Sequence, residues 1–219
     1  GSPGDVALVN LTPVLAGDFG NGQLISSDVT APDASNVNFG PGTVDPNVAA
    51  APIGSDGKVC YVNSNHSTVQ IIADHLGSIS RSAITLATPT GAPARKVDTR
   101  RGLGGGLIAP GDSLCFSVAG SPGDVALVNL TPILASDFGN GQLISSGLTP
   151  PDASNVNFGP GTVDPNVAAA PIGADGEVCF ANSNHSSVHL VADHLGTIDS
   201  DAFTLASATG APARRVDTR

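Results

Sequence analysis

Histidine, serine and acidic side chains are the residues of this sequence that could carry catalytic chemistry. His66 follows Ser64, and His75 and His194 each follow an aspartate. A catalytic triad needs a serine, a histidine and an acid that converge from separate segments, and no Gly-X-Ser-X-Gly turn for a nucleophile occurs. A histidine beside an aspartate at a strand end is more typical of a structural hydrogen bond. The sequence therefore predicts no catalytic residues and no enzyme.

Aspartates and asparagines in the predicted loops could bind calcium, which takes oxygen ligands. The weak candidates are Asp18, Asn21 and Asp33. Neither the EF-hand spacing nor the glycine-rich nonapeptide repeat occurs, and these residue types are also ordinary turn formers. Asp28 is a poor ligand because Gly147 replaces it later in the chain. We therefore expect no cofactor, with calcium as the open alternative.

Asparagines also form sequons, the Asn-X-Ser/Thr acceptors of N-linked glycans. Asn65 and Asn184 lie in predicted turns and are the better candidates for glycosylation, whereas Asn10 lies in a predicted strand. Asn36, Asn38 and Asn47 are expected to tie an irregular loop to a sheet by side chain–backbone hydrogen bonds. The alternative, a polar groove for sugar, would have little aromatic surface, since aromatic residues make up 4% of the chain and Trp is absent.

Nearly the whole chain is one sequence that occurs twice. Residues 1–100 return as residues 120–219, at an offset of 119, with about four fifths of the positions identical. A unit of this length exceeds the roughly 20–50 residues of a solenoid repeat and is typical of one folding domain. We therefore expect two tandem domains, each with its own core and joined like beads on a string.

Short apolar runs between glycines and prolines predict strands. The chain has 27 Gly and 17 Pro, and runs such as residues 6–9, 58–62 and 69–73 are of strand length. No sustained helical period occurs. Several short strands at regular spacing are typical of sandwiches and barrels. The expected fold class is all-β, with two tandem β-sandwich-like domains.

A segment that occurs once, residues 101–119, separates the two copies. It contains a predicted strand after the turn signal of residues 110–112. This strand can complete the second copy, whereas the first copy lacks its N-terminal strand and would expose an unpaired edge. We expect an earlier repeat, or another subunit by strand addition, to supply the strand. Its residues are Ser113, Leu114, Cys115, Phe116, Ser117 and Val118.

These considerations divide the chain into four parts. Residues 1–85 form an incomplete first repeat, and residues 98–204 form a complete second repeat. Residues 86–97 contain two prolines and are expected to be a semi-stiff linker, with an ordinary surface loop as the alternative. Residues 205–219 are expected to be a linker and the start of a further repeat.

The three cysteines agree with this division. Cys60 and Cys179 occupy equivalent positions, while Cys115 lies in the segment that occurs once. The simplest pairing joins Cys115 to Cys179, and Cys60 would then pair with a cysteine of a preceding unit. Three buried reduced thiols remain the alternative. No paired Cys/His spacing suggests zinc.

Charge and hydropathy exclude two classes of partner. The net charge is −10 and the pI is near 4.5, which disfavours binding to nucleic acid. No apolar run approaches the ~18–20 residues of a membrane span. We expect neither nucleic acid nor a membrane span.

Several motifs resemble a known kind of repeat. Residues 98–100 read Asp-Thr-Arg, and the further motifs lie in residues 9–12, 34–39, 42–47, 56–59 and 67–77. They resemble, in order and spacing, the β-rich repeats of secreted and surface proteins of actinobacteria and related bacteria. Those repeats read roughly DTR, NVT, SNLNF, GQTVAN, DGKV and VIVDVNGYF. This sequence departs at residues 74–77, where Asp-His-Leu-Gly replaces Asp-Val-Asn-Gly and no Tyr-Phe follows.

The resemblance implies an extracellular accessory or structural domain without catalytic residues, and a domain start near residues 98–100. Residues 217–219 would then begin another domain. We therefore expect a structural segment of a cell-surface filament, stalk or adhesin array, built from identical units joined head to tail by strand complementation. The alternative is an accessory module that binds cell-wall or other cell-surface glycan.

Overall fold

The computed structural model describes residues 1–31, 34–64, 67–88, 90–150, 153–204, 206 and 218. Its regular elements are antiparallel strands, apart from two single turns of 3-10 helix at Thr99–Arg101 and Ser200–Ala202. The valine-, isoleucine- and alanine-rich runs between glycine and proline turns form these strands, as their composition favours. The predicted all-β, sandwich-like fold class is confirmed.

The described residues of the first unit form six strands in two sheets. One sheet has the order β4-β1-β6 and the other β3-β2-β5. The strands are β1 (Val6–Val14), β2 (Gly20–Ser26), β3 (Val37–Phe39), β4 (Asn47–Pro52), β5 (Val59–Asn63) and β6 (Gln70–Ile79).

The second unit repeats these six strands and adds three more. Its sheets have the orders β13-β10-β15-β7, with β8 also paired to β15, and β12-β11-β14-β9. The added strands are β7 (Ile84–Leu86), β8 (Ala94–Asp98) and β9 (Ser113–Ser117). The repeated strands are β10 (Val125–Ile133), β11 (Gly139–Ser145), β12 (Val156–Phe158), β13 (Asn166–Pro171), β14 (Glu177–Asn182) and β15 (His189–Ile198).

Each unit buries an apolar core between its two sheets. Successive side chains of a strand point to opposite faces, so alternate residues of β1, among them Val9 and Leu11, meet Leu24 and Phe39 of the facing sheet. The core of the second unit is larger and includes Phe116, Val97 and Phe180. The added strands β8 and β9 contribute to this larger core, because Val97 lies on β8 and Phe116 on β9.

A third apolar layer lies between the two units. The remaining alternate residues of β1 and β10, including Val6 and Leu127, pack with Ala50, Leu195 and Ile198. The outer faces of sheets β4-β1-β6 and β13-β10-β15-β7 therefore pack against each other. The expected beads on a string are wrong in this respect, because apolar residues of β1 and β10 lie in a layer shared by the two units.

The predicted linker of residues 86–97 contains sheet residues of the second unit. β8 lies in this segment and pairs with β15, and β7 overlaps its start and pairs with β15 further along. Val97 of β8 is fully buried in the second core. The second sandwich therefore starts at β7 rather than at residue 98. The predicted closing segment, residues 205–219, lies outside the described residues except for 206 and 218.

Candidate functional site: strand-docking edges

Residues 84–118, here named the completing segment, run along both open sides of the second sandwich. β7 and β8 pair with β15 and extend the sheet that packs against the first unit, here named the inner sheet. β9 pairs with β14 and extends the other sheet, here named the outer sheet. Between them Ile108 exchanges two backbone hydrogen bonds with Val188, each of 3.0 Å. One continuous segment that precedes the second copy therefore closes both of its sheets.

Polar contacts hold β8 on β15. The guanidinium of Arg95 donates from Nε to Asp193 Oδ1 at 2.5 Å and from Nη2 to Oδ2 at 3.1 Å. Asp193 is 3% exposed, and burial raises the pKa of its carboxyl, a shift that the Arg95 guanidinium opposes. Asp98 accepts two bonds of 2.8 Å from Arg100, which hold the pKa of the Asp98 carboxyl below its usual value. Such two-point pairs fix geometry as well as charge.

The Asp-Thr-Arg motif of residues 98–100 ends β8 and fixes it on β15. The Thr99 hydroxyl accepts a hydrogen bond from the backbone N–H of Leu190 at 2.9 Å and lies 2.9 Å from His189 Nδ1. The motif was predicted to start a domain. In the structure Asp98 is the last residue of β8, so the motif lies inside the second sandwich.

β9 is the predicted completing strand, and it carries the predicted disulfide. Its register places Cys115 opposite Cys179, and the two sulfurs are bonded at 2.03 Å. Phe116 is buried in the core, and Leu114 packs against it. The Val118 N–H extends the pairing with a bond of 3.3 Å to the Gly176 carbonyl. The six residues singled out from the sequence thus cover the outer edge of β14.

The first unit has the same two edges without a completing segment among the described residues. Cys60, the equivalent of Cys179, is an exposed free thiol on β5. On β6, Ile72 is 51% exposed and Leu76 is 59% exposed, whereas their equivalents Val191 and Leu195 are 6% and 3% exposed. Nearly identical strands therefore differ in exposure because one unit receives strands and the other does not.

His194 and His75, at equivalent positions of the two copies, each have a hydroxyl within hydrogen-bond distance. His194 is 1% exposed, and its Nε2 lies 3.1 Å from the Thr197 hydroxyl. That hydroxyl donates its proton to the Ala119 carbonyl, so Nε2 carries the imidazole proton. Burial lowers the pKa of His194 to about 4. Its equivalent, His75, lies 3.3 Å from the Ser78 hydroxyl on the exposed β6. Both histidines form side-chain hydrogen bonds, but they lie within β6 and β15 rather than at the predicted strand ends.

Of the calcium candidates, Asp18 and Asn21 lie in the described part of the chain. Asp18 accepts a bond from the Phe19 N–H at 2.8 Å, which is an ordinary turn contact, and Asn21 lies inside β2 opposite Asn38 rather than in a loop. Asp33 lies outside the described residues. The described part of the chain contains no group of three or more His, Cys, Asp or Glu side chains that could hold a metal ion. Within the same residues, no helix is long and apolar enough to cross a membrane.

The asparagines mainly stabilise the fold. The Asn36 side chain accepts from the Leu24 N–H at 2.7 Å, and Asn47 donates to the Asn36 carbonyl at 2.6 Å, as predicted. Asn184 is 4% exposed, and its amide nitrogen donates to the Asp137 carbonyl and the Ser186 hydroxyl. The Asn184 side chain is therefore too buried in the folded unit to carry a glycan, contrary to expectation. Asn65 lies outside the described residues.

Sequence reasoning missed β7 and β8. The missed signal was the identity of residues 94–100 to residues 213–219 at all but one position, which marks them as part of the folded repeat and not as a variable linker. Comparisons with protein-family models, with curated proteins and with solved structures find no match to this chain.

Proposed function

We propose that this chain is a structural segment of an extracellular array, such as a filament, stalk or adhesin spacer, in which each unit is completed by the one before it. The observation that supports this most strongly is the completing segment. Residues 84–118 close both sheets of the second unit, while β5 and β6 of the first unit present the same two edges uncovered. The first unit would receive the equivalent segment from a neighbouring unit.

This mode of joining suits a protein that carries tension. A simple linker between domains transmits force through one flexible stretch of chain. Here the completing segment that connects the two units is paired into both sheets of the second unit. Separating the units requires the rupture of the β8–β15 and β9–β14 ladders and exposure of the apolar layer between the units. The Cys115–Cys179 bond additionally prevents β9 from leaving β14. A head-to-tail array of such units would resist extension and hinge bending.

Two further features support an extracellular location and a non-enzymatic role. Disulfides persist chiefly in oxidising compartments, and Cys115 is bonded to Cys179. His194 and the Thr197 hydroxyl beside it are both buried, and that hydroxyl donates its proton to the Ala119 carbonyl, so the pair has a structural hydrogen-bonding arrangement. The resemblance to repeats of secreted and surface proteins also supports an extracellular location and a non-enzymatic role.

An extended chain tests the proposal. A second copy of residues 84–119 is placed before Gly1, and the matched control carries the same residues in scrambled order. We expect the authentic extension to pair with β5 and β6, to form a disulfide with Cys60, and to slow hydrogen exchange across β6. Cys60 that stays reactive to maleimide under oxidising conditions, with unchanged exchange at β6, would overturn strand complementation.

A further inference from the structure

We propose that the open edge of β6 is the docking site for residues 213–219 of a second copy of the chain, with Asp74 of one copy receiving Arg214 of the other. This inference rests on the proposed strand complementation and deepens it. It names the occupant of the inner sheet edge, where no cysteine is available to secure the strand, and it identifies the ion pair that would select that occupant.

The uncovered edge strand β6 pairs with its neighbour in the same way as β15, the strand that receives β8 in the second unit. β6 pairs with β1 in the same register as β15 with β10, so that Asp74 lies opposite Asn10 and Asp193 opposite Asn129. The register shift also falls at equivalent places, between Leu8 and Val9 and between Leu127 and Val128. Because the two strands lie alike on their partners, the free side of β6 can accept the ladder that β8 forms with β15.

Asp74 is the specific element of this edge. Its equivalent, Asp193, is held by two bonds from Arg95, while Asp74 is exposed. The β6 edge also exposes Ile72 and Leu76, which an added strand would cover. A strand that covers these side chains removes Asp74 from water and must therefore bring a cation, because an unpaired buried carboxylate is costly. An arginine at the position equivalent to Arg95 would supply this cation and could bind Asp74 as Arg95 binds Asp193.

Residues 213–219 carry the required sequence. They repeat residues 94–100 except that Arg215 replaces Lys96. Arg214 corresponds to Arg95, and Thr218 to Thr99, which binds the Leu190 N–H. Ile71 of β6 stands at the place of Leu190 and offers the same backbone donor. In a second copy, residues 94–98 already pair with β15, so residues 213–219 are the remaining segment with this sequence.

The geometry of the contact is heterologous. The acceptor edge at β6 and the donor segment, residues 213–219, are different parts of the chain. A heterologous contact leaves a free donor and a free acceptor after every addition, so it generates open chains unless the rotation closes a ring. The expected product is a linear head-to-tail polymer.

Sedimentation velocity of the full chain over a range of concentrations tests this inference. Fluorescence anisotropy of a labelled peptide of residues 203–219 gives a second readout on the same protein. We expect concentration-dependent association and competition by the unlabelled peptide. Asp74→Ala and Arg214→Ala should each weaken association about 100-fold, as expected for breaking one partner of a buried ion pair. The exchanged pair Asp74→Arg with Arg214→Asp should restore most of it.

Asp18→Ala, which removes an exposed carboxylate from the turn before β2, is the matched control and should associate like the parent chain. Association that is unaffected by Asp74→Ala overturns the inference. The inference is also overturned if the chain stays monomeric at every concentration and does not bind the labelled peptide. If the chain extended by residues 84–119 is nevertheless protected at β6, the proposed function survives as a covalent array. If the extended chain also shows no protection from hydrogen exchange at β6, both proposals are wrong.

Discussion

Arg95 and Asp193 form a two-point ion pair although 98 positions of sequence separate them. By sequence Arg95 belongs to the first copy and Asp193 to the second, yet both lie in one sheet, on β8 and β15. The Asp193 carboxylate is almost completely buried, so its charge depends on this partner. The pair therefore connects the end of one repeat to the interior of the next.

Removal of Arg95 should destabilise the second unit. In Arg95→Ala the carboxylate of Asp193 remains buried without its cation, and we expect the free energy of unfolding to fall by about 3 kcal/mol. Hydrogen exchange of the β15 amides under mildly denaturing conditions measures this loss locally. Arg81→Ala, at an exposed arginine, should change it by less than about 0.5 kcal/mol. Equal effects of the two substitutions would contradict a special role for Arg95.

The disulfide should stabilise the second unit alone. The bond joins residues separated by 64 positions, and a loop of that length contributes about 4 kcal/mol in the chain-entropy model. Cys115→Ser, at an exposed position of β9, should therefore lower the stability of the second unit by about that amount, as measured by urea denaturation. Cys60→Ser is the matched control and should leave stability unchanged. A large effect of Cys60→Ser would show that Cys60 is not free.

The outer edge was predictable from the sequence because its signals are local. β9 alternates between buried Phe116 and exposed neighbours, follows a turn signal, and carries the cysteine that lacks an earlier equivalent. The pairing of Cys115 with Cys179 was the simplest one once Cys60 and Cys179 were identified as repeat equivalents. Local patterning thus identified both the strand and its partner.

The inner edge was not predictable in the same way. Residues 94–98 contain alanine, two cations, one valine and an aspartate, with a proline directly before them, which is typical of a linker. Their strand conformation depends on Asp193 and on burial of Val97, both determined by distant sequence. The layer between the units did leave a signal. Residues 6–9 form an unbroken apolar run, which is typical of a strand buried on both faces.

The stability of the second unit should depend on pH through His194. Burial lowers its pKa from 6.5 to about 4, so the folded state holds the neutral imidazole more firmly than the unfolded chain does. This contribution is complete above pH 6.5. It is lost as the pH falls towards 4, because the unfolded chain then binds a proton that the folded unit does not, and the loss amounts to about 3 kcal/mol.

His194→Gln should remove this dependence, as urea denaturation at pH 7 and pH 4.5 would show. The diagnostic quantity is the difference in stability between the two pH values, because the substitution itself lowers stability at both. His75→Gln, at the exposed equivalent position, is the control and should retain the full difference. If His194→Gln keeps the parent's pH dependence, another group is responsible for it.

Asn47 should couple the two units more strongly than its equivalent, Asn166. The Asn47 amide nitrogen donates to the Asn36 carbonyl at 2.6 Å and to Asn129 Oδ1 at 2.8 Å, and its Oδ1 accepts from the Val167 N–H at 3.0 Å. Asn129 and Val167 belong to the second unit. The Asn166 amide, in contrast, donates to the Asn155 carbonyl within its own unit.

Asn47→Ala leaves polar groups of both units unpaired at the interface, so we expect a loss of about 2–3 kcal/mol, against about 1 kcal/mol for Asn166→Ala. Hydrogen exchange of the Val167 amide should accelerate in Asn47→Ala, because its acceptor is removed. The thermal unfolding of the two units should also separate into two transitions as their coupling weakens. Equal losses for the two variants, with unchanged exchange at Val167, would show that these hydrogen bonds do not join the units in solution.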